Sequence, residues 1–210
     1  MNEQDPSFAS LELRYLTGNV DYDGWQGDFL GNGEPFSADN LRDYYMEAAL
    51  KAGWKWQVAN PISLAPYLGI GWRYLRNHLE ESGEGGYLRT STYVYMPLGL
   101  NATYQVTDRF SLTLNGQFDW LLSGRQFSDD PSGGVYNDQD KGYGARLSLK
   151  AQVDFDKIGV FVEPFWRYWQ IQNSQPQYFN VYYDGTWYSV EEREPYNKTQ
   201  ELGLRIGISF

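Results

Sequence analysis

The sequence predicts an all-β protein, an eight-stranded antiparallel up-and-down transmembrane β-barrel that takes residues 1–210 as one domain. Three observations predict it. Apolar and polar side chains alternate with period two in eight stretches, the mark of strands with two unlike faces. The connections alternate too, long after the odd stretches and short after the even ones, as a barrel with loops at one membrane face and tight turns at the other requires. Aromatics are 18% of the chain, led by 18 Tyr and 8 Trp, and they gather near strand ends, where one side of a ring is dry and the other wet.

The first stretch, 9–17, sets Ala9, Leu11, Leu13 and Tyr15 against Glu12 and Arg14. The second, 44–58, runs Met46, Ala48, Leu50, Ala52, Trp54, Trp56 and Val58 against Glu47, Lys51 and Lys55. In 62–75 the apolar set includes Leu64, Leu68, Ile70 and Trp72, against Tyr67, Gly69, Gly71 and Arg73. In 92–106 Val94, Leu98, Leu100 and Tyr104 face away from Tyr93, Tyr95, Gly99 and Asn101, and in 110–124 Leu112, Leu114, Phe118 and Trp120 oppose Thr113, Asn115, Gln117 and Asp119. Stretch 143–155 opposes Leu147 and Leu149 to Arg146, Lys150 and Asp154. Stretch 159–171 is less clean, because Phe161, Phe165 and Trp169 share a face with Glu163 and Arg167. The last, 201–210, alternates strictly, with Glu201 and Arg205 opposite Leu202, Leu204, Ile206, Ile208 and Phe210. Pro66, Pro97 and Pro164 fall inside stretches, and each marks a bulge or irregular pairing because proline has no N–H for the ladder.

The long connections are 18–43, 77–90, 126–141 and 173–200; the short ones are 59–61, 107–109 and 156–158. A terminal strand ending on Phe resembles the last strand of bacterial outer-membrane barrels. That resemblance implies the outer membrane, with both termini periplasmic and the long loops extracellular. The N-terminal residues Met1–Pro6 hold no apolar signal region, so an exported chain has lost its signal and gained Met1 on expression. The mean hydropathy of −0.60 does not oppose this reading, since only alternate residues of a barrel strand face lipid.

The charged face then points inward, as a network of Glu12, Arg14, Glu47, Lys51, Lys55, Arg73, Asp119, Arg146, Lys150, Asp154, Glu163, Arg167, Glu201 and Arg205. Eight strands leave room only for side chains, so the interior is read as a plugged core of paired charges rather than a pore or an ion path. Net charge is −10, which argues against a nucleic-acid partner. The four long connections hold seventeen acidic residues against five basic, so the whole negative charge sits at one end. The last of them adds Tyr178, Phe179, Tyr182, Tyr183, Trp187 and Tyr188, a composition prone to interaction. The expected partners are outer-membrane lipid and lipopolysaccharide, together with basic peptides or a host surface protein; the expected state is a monomer.

One loop stretch carries candidate chemistry. Asp21-Tyr22-Asp23-Gly24-Trp25 places two carboxylates two residues apart, a spacing that can activate water or hold a cation, and that equally describes an Asx-stabilised turn. It resembles the early loop of the omptins, outer-membrane proteases that cut at basic residues. Asp43-Tyr44-Tyr45-Met46-Glu47 resembles the strand after that loop. Phe118-Asp119-Trp120-Leu121-Leu122-Ser123, running on to Ser128-Asp129-Asp130, resembles the strand leading to the family's second catalytic pair. The resemblance implies an acid dyad of Asp21 and Asp23, and lipopolysaccharide dependence. It departs in two ways. Omptins have ten strands, as if the first hairpin were absent here, and their Asp-x-His pair has no counterpart. His78, the single histidine, lies in another loop and would have to serve with Asp129 or Asp130. A lone loop histidine is more often solvated than catalytic. No phosphate loop, nucleophile elbow, zinc motif or cysteine is present, so no cofactor or metal is expected. The role read from the sequence is therefore non-enzymatic surface interaction or membrane stabilisation, with an omptin-like endopeptidase as the alternative.

Overall fold

The computed structural model describes residues 6–27, 33–83, 86–129 and 134–210. Its strands are β1 (Ser7–Gly27), β2 (Gly33–Trp54), β3 (Trp56–Ala59), β4 (Ile62–His78), β5 (Leu88–Gln105), β6 (Phe110–Asp129), β7 (Val135–Asp138), β8 (Gly142–Phe155), β9 (Ile158–Ile171), β10 (Gln177–Tyr183), β11 (Thr186–Glu192) and β12 (Asn197–Ser209). Eight of them form one antiparallel path in the order β1-β2-β4-β5-β6-β8-β9-β12. The short strands β3 and β7 attach to β4 and β6, and β10 pairs only with β11 in a separate two-stranded sheet.

The eight path strands hold most of the eight alternating stretches, with 44–58 split at Lys55 between β2 and β3, and they run on into residues expected to be loop. β1 and β2 continue in register from Thr17↔Tyr44 to Gly27↔Gly33, with a shift between Val20 and Tyr22. Such tips are rich in Asp, Asn, Gly and Ser, residues of low β-propensity, and backbone pairing carries them.

Pro66, Pro97 and Pro164 each sit at or beside a break in a ladder. Pro66 lies opposite the gap at Lys55 that separates β2 from β3. The β4–β5 pairs skip from Leu68↔Leu98 to Gly71↔Tyr95, across from Pro97, and β5–β6 is shifted nearby, between Val94 and Tyr95. The β8–β9 pairs skip from Ser148↔Phe165 to Ala151↔Val162, around Pro164. The missing N–H explains all three.

The sheet curls until strands far apart in its order touch across the inside. Arg146 on β8 reaches Glu12 on β1 at 3.0 Å, Lys51 on β2 reaches Gln117 on β6 at 2.8 Å, and the Tyr95 ring on β5 meets the Trp169 ring on β9 at 5.2 Å. Among the described residues, β1 is paired only with β2 and β12 only with β9. The two edges are bridged by a side-chain contact, Arg205 Nη1 to Glu12 Oε1 at 3.5 Å.

Polarity is inverted relative to a soluble domain. Arg73, Arg167 and Asp119 are fully buried, while Leu13, Leu202 and Ile206 on the outer face are 70%, 80% and 75% exposed. Inward aromatic rings occupy spaces left by glycines on neighbouring strands. A Cβ on Gly71 would stand 2.2 Å from the Tyr95 ring, and one on Gly203 2.5 Å from the Phe165 ring. This explains the mixed face of β9, whose Phe161, Phe165 and Trp169 pack against Gly207, Gly203 and Gly144. Outward aromatics lie in two groups. Trp54, Trp56, Tyr104 and Phe155 sit near the short turns; Tyr15, Trp72, Trp120 and Tyr143 lie toward the long connections. Neighbours stack there, Trp72 on Tyr74 at 5.9 Å and Phe118 on Tyr143 at 5.9 Å.

Candidate functional site: the polar interior and its two ends

The inward positions build the interior in layers. At mid-height Glu47 accepts from Arg167, stands 3.5 Å from Arg73 and 3.9 Å from Arg14, and takes the Tyr95 hydroxyl at 2.8 Å. Glu201 lies 3.7 Å from Arg73 and 3.9 Å from Arg167, and accepts from Tyr45 at 2.9 Å. The Arg73 guanidinium also lies over the Tyr45 ring, 4.4 Å from its centroid. Glu47 and Glu201, the buried Arg73 and Arg167, and the rings of Tyr45 and Tyr95 thus meet in one layer inside the sheet. Ion pairs taken this far from water hold only with such dense partnering.

Toward the short turns Glu12 gathers Arg14, Lys51 at 2.6 Å, Arg146 at 3.0 Å and Arg205 at 3.5 Å, while Glu163 takes Arg205 at 2.7 Å. Gln117 links this layer to the one above, accepting from Lys51 and Tyr67 at 2.8 Å and donating to Asp119 at 2.6 Å. Near the rim Lys150 donates to Gln152, which donates to Asp154. Lys55 is exposed at the β2–β3 break.

At the other end the interior carries buried polar side chains and loop backbone that lie outside the alternating pattern. Gln126, Asn137, Gln139, Ser174 and Glu194 are buried there. The Gln139 N–H donates to the Gly124 carbonyl at 2.9 Å, and the Ser174 N–H to Glu194 at 2.9 Å. The Tyr93 hydroxyl meets Gln139 at 3.0 Å, and Arg89 meets Glu194 at 3.1 Å. Sequence reasoning missed this group because it has no period; its one signal is a run of amides, Gln126, Asn137 and Gln139, beside a strand end.

The candidate catalytic residues are dispersed. Asp21 and Asp23 are exposed on the outer part of β1, and the Asn40 N–H of β2 donates to Asp21 at 3.0 Å across the irregularity between Val20 and Tyr22, so the pair lies in a strand and not in a local Asx turn. His78 ends β4; its Nδ1 is 2.6 Å from Glu80 Oε1 and its ring 6.4 Å from that of Tyr44. Ser82, beside it in the 3₁₀ turn, donates to the Leu79 carbonyl at 2.7 Å. Asp129 ends β6, across β5 from His78 in register. β2 lies between β1 and β4, and β5 between β4 and β6. The backbone of Asp129 therefore stands about 10 Å from that of His78, two strand spacings, while Asp21 is offset two residues outward from Asn19, the β1 residue in line with His78. Asp130 lies outside the described residues.

Beyond the apolar band, Arg42 binds Glu81 through its guanidinium and through its N–H, the latter at 3.2 Å. These hydrogen bonds hold the Glu81 carboxyl below its usual range. The β10–β11 hairpin stands apart, with Tyr178 66% and Trp187 69% exposed. Its Tyr182 and Trp187 rings lie 5.1 Å apart. The Tyr178 hydroxyl donates to Glu191 at 3.0 Å, and that bond pushes its pKa up.

No family model matches the chain, and no curated protein matches it. Among solved structures, that of the toluene transporter TodX of Pseudomonas putida is similar with a TM-score of 0.39 at 15% identity, covering 96% of this chain and 61% of that one. The chain thus spans about three fifths of that protein's length.

Proposed function

We propose that this chain is an eight-stranded outer-membrane β-barrel, closed by β1 against β12, that conducts nothing and presents its acidic, aromatic loop end outside the cell to basic peptides or protein surfaces. The observation that carries the reading is the inversion of polarity: charges are buried inside a layer of exposed Leu, Ile and Trp. Such a surface is stable only in a lipid phase. The mid-height ion pairs of Glu47, Arg73, Arg167 and Glu201 join strands across the inside of the sheet, which supports a plug. The free-standing β10–β11 hairpin offers ring faces beside carboxylates, the chemistry that takes Lys and Arg side chains. With the loops outside, both termini are periplasmic, and divalent cations bridging the loop carboxylates to lipopolysaccharide would add membrane stabilisation.

The test is binding of a basic peptide to the refolded protein in micelles, beside a variant carrying Trp187→Ser and Tyr182→Ser. Affinity is expected to fall about tenfold or more in the variant and to weaken with salt. Equal binding by the two proteins would remove the hairpin from the function.

A second reading, an omptin-like endopeptidase, has one observation in its favour: Asp21 and Asp23 are both exposed beyond the apolar band. Cleavage of a fluorogenic dibasic peptide with lipopolysaccharide present, lost in both Asp21→Asn and Asp23→Asn, would establish it. Absence of cleavage by folded protein would dispose of it.

A further inference from the structure

The β10–β11 hairpin has a fixed root and two open edges besides its ring faces. Its stem carries on from the β9–β12 pair. The Ser174 N–H donates to the Glu194 carbonyl at 2.9 Å, the Glu194 N–H to the Ser174 hydroxyl at 2.8 Å and the Tyr196 N–H to Asn173 Oδ1 at 2.7 Å. Ser174 and Glu194 are buried, so the stem is anchored. The tip is a two-residue turn with Asp184 at φ 46° and Gly185 at φ 79°, the left-handed pair of a type I′ turn, which matches the twist of the flanking strands.

Turn length fixes which backbone groups face outward. In a two-residue hairpin the pair beside the turn, here Tyr183 and Thr186, is hydrogen-bonded, and bonded and non-bonded pairs alternate from there. Val181↔Tyr188 and Phe179↔Val190 are then bonded pairs, whereas Tyr182↔Trp187, Asn180↔Ser189 and Tyr178↔Glu191 are not. The N–H and C=O groups of Trp187, Ser189 and Glu191 therefore point away from β10, along the β11 edge. Those of Tyr178, Asn180 and Tyr182 point along the β10 edge. Among the described residues neither edge is paired with another strand, and all six of these residues are exposed. An open edge is a template for a further strand, and a two-stranded hairpin gains stability from a third.

The side chains select the edge and the strand it takes. Trp187, Ser189 and Glu191 share the ring face with Tyr178 and Tyr182, while Tyr188 and Val190 lie on the other face with Phe179 and Val181. A strand laid along β11 sets every second side chain beside Trp187 and Glu191, an indole face and a carboxylate that both take cations. Its other side chains fall beside Tyr188 and Val190, which are largely apolar. Glu191 holds Arg193 at 2.7 Å and the Tyr178 hydroxyl at 3.0 Å, exposed contacts that a lysine can join, because a carboxylate has about four acceptor positions. The β10 edge offers Tyr178, Asn180 and Tyr182 and no carboxylate.

We propose that a basic peptide binds as an added antiparallel strand along the β11 edge, and that the preferred partner alternates basic with apolar residues. This rests on the reading of the hairpin as a site for basic peptides. Backbone bonds to Trp187, Ser189 and Glu191 hold the strand, and the rings and carboxylate choose its side chains.

The experiment is a titration of the refolded protein in zwitterionic micelles with a peptide alternating lysine and valine. Ser189→Pro removes the central N–H of the β11 edge and spares the β10–β11 ladder, because that group does not point at β10. Asn180→Pro does the same to the β10 edge and is the matched control. The peptide is expected to bind wild type and Asn180→Pro alike, and Ser189→Pro about tenfold or more weaker. An isomer with its lysines and valines in blocks is expected to bind wild type about tenfold or more weaker than the alternating one. In antiparallel addition the lysine N–H groups face β11, so methylating the lysine backbone nitrogens is expected to abolish binding and methylating the valine ones to spare it. Equal binding of the two isomers, with both proline variants like wild type, overturns strand addition and leaves the basic-peptide reading standing. Binding of neither isomer removes both. Should the two proline variants weaken binding alike through loss of the hairpin, the methylated peptides decide on wild type, and an equal effect of the two overturns the proposal. Pairing of hairpins between two copies would appear as dimerisation abolished by Ser189→Pro with no preference between isomers, and also overturns it.

Discussion

Glu47 shows at the scale of one residue how the interior is held. It is the carboxylate for Arg167 and Arg73 and the acceptor for Tyr95. Glu47→Gln would leave buried guanidinium charge unmatched, a change that costs about 3–5 kcal/mol in such pairs. Urea unfolding in micelles is expected to show that loss, and a change under 1 kcal/mol would mean water reaches this layer. Glu81 behaves differently because its link to Arg42 is solvated. Its carboxyl titrates below the ordinary value of 4.5 in the folded chain, so the link is fully present above that pH and is lost as pH falls through the lower folded value. The Arg42 side-chain NMR signal is expected to move only in that acid window; movement near neutrality would rule the link out. The parity of Glu47, Arg73 and Arg167 was legible in the sequence, because each interrupts an apolar stretch at period two. Their partners were not legible. Glu12 and Arg205 meet across 193 positions, and only the curl of the sheet brings them together.

Strands and hairpins show a different division between what sequence and packing decide. Alternation placed the eight strands of the main path, and the prolines marked the three ladder breaks, because both effects are local. The outer extensions of β1 and β2, and the hairpin β10–β11, carry no such signal and read as loop in the sequence. Their residues lack one apolar face, and pairing of backbone with backbone leaves no mark in side-chain type. The ring-and-glycine fit is the strongest constraint at this scale. In Gly71→Ala the new methyl would meet the Tyr95 ring, and overpacking of this kind costs about 1–3 kcal/mol. Pairing it with Tyr95→Leu is expected to recover part of that loss in the same urea assay; a single variant as stable as wild type would show that the ring moves freely. Among the described residues the β10–β11 hairpin pairs with no other strand. Replacing 177–192 by a short Gly-Ser link is therefore expected to leave the unfolding midpoint of the barrel unchanged, and a marked drop would tie the hairpin to the interior.

For the whole molecule, the inverted surface and the buried ion pairs both support the proposed reading of a barrel set in lipid. The edges of β1 and β12 expose backbone groups that a hydrocarbon phase does not tolerate, so insertion demands that they pair. The Arg205–Glu12 contact fixes which parts of the two strands meet, and cysteines at Leu11 and Ile206 are expected to crosslink in vesicles but not in unfolded chain. The filled mid-height layer gives silent planar bilayers as the expected result, and steady single-channel steps would mean that the plug opens. The central claim, that the apolar outer face meets lipid, is tested most directly by tryptophan quenching. Single-Trp variants retaining Trp54, Trp72, Trp120 or Trp169 would be inserted into vesicles whose lipid chains carry bromine. Trp54, Trp72 and Trp120 face outward and Trp169 is buried inside, so the first three are expected to be quenched strongly and the last hardly at all. Equal quenching of all four, or none of the outward three, would contradict the inside-out barrel.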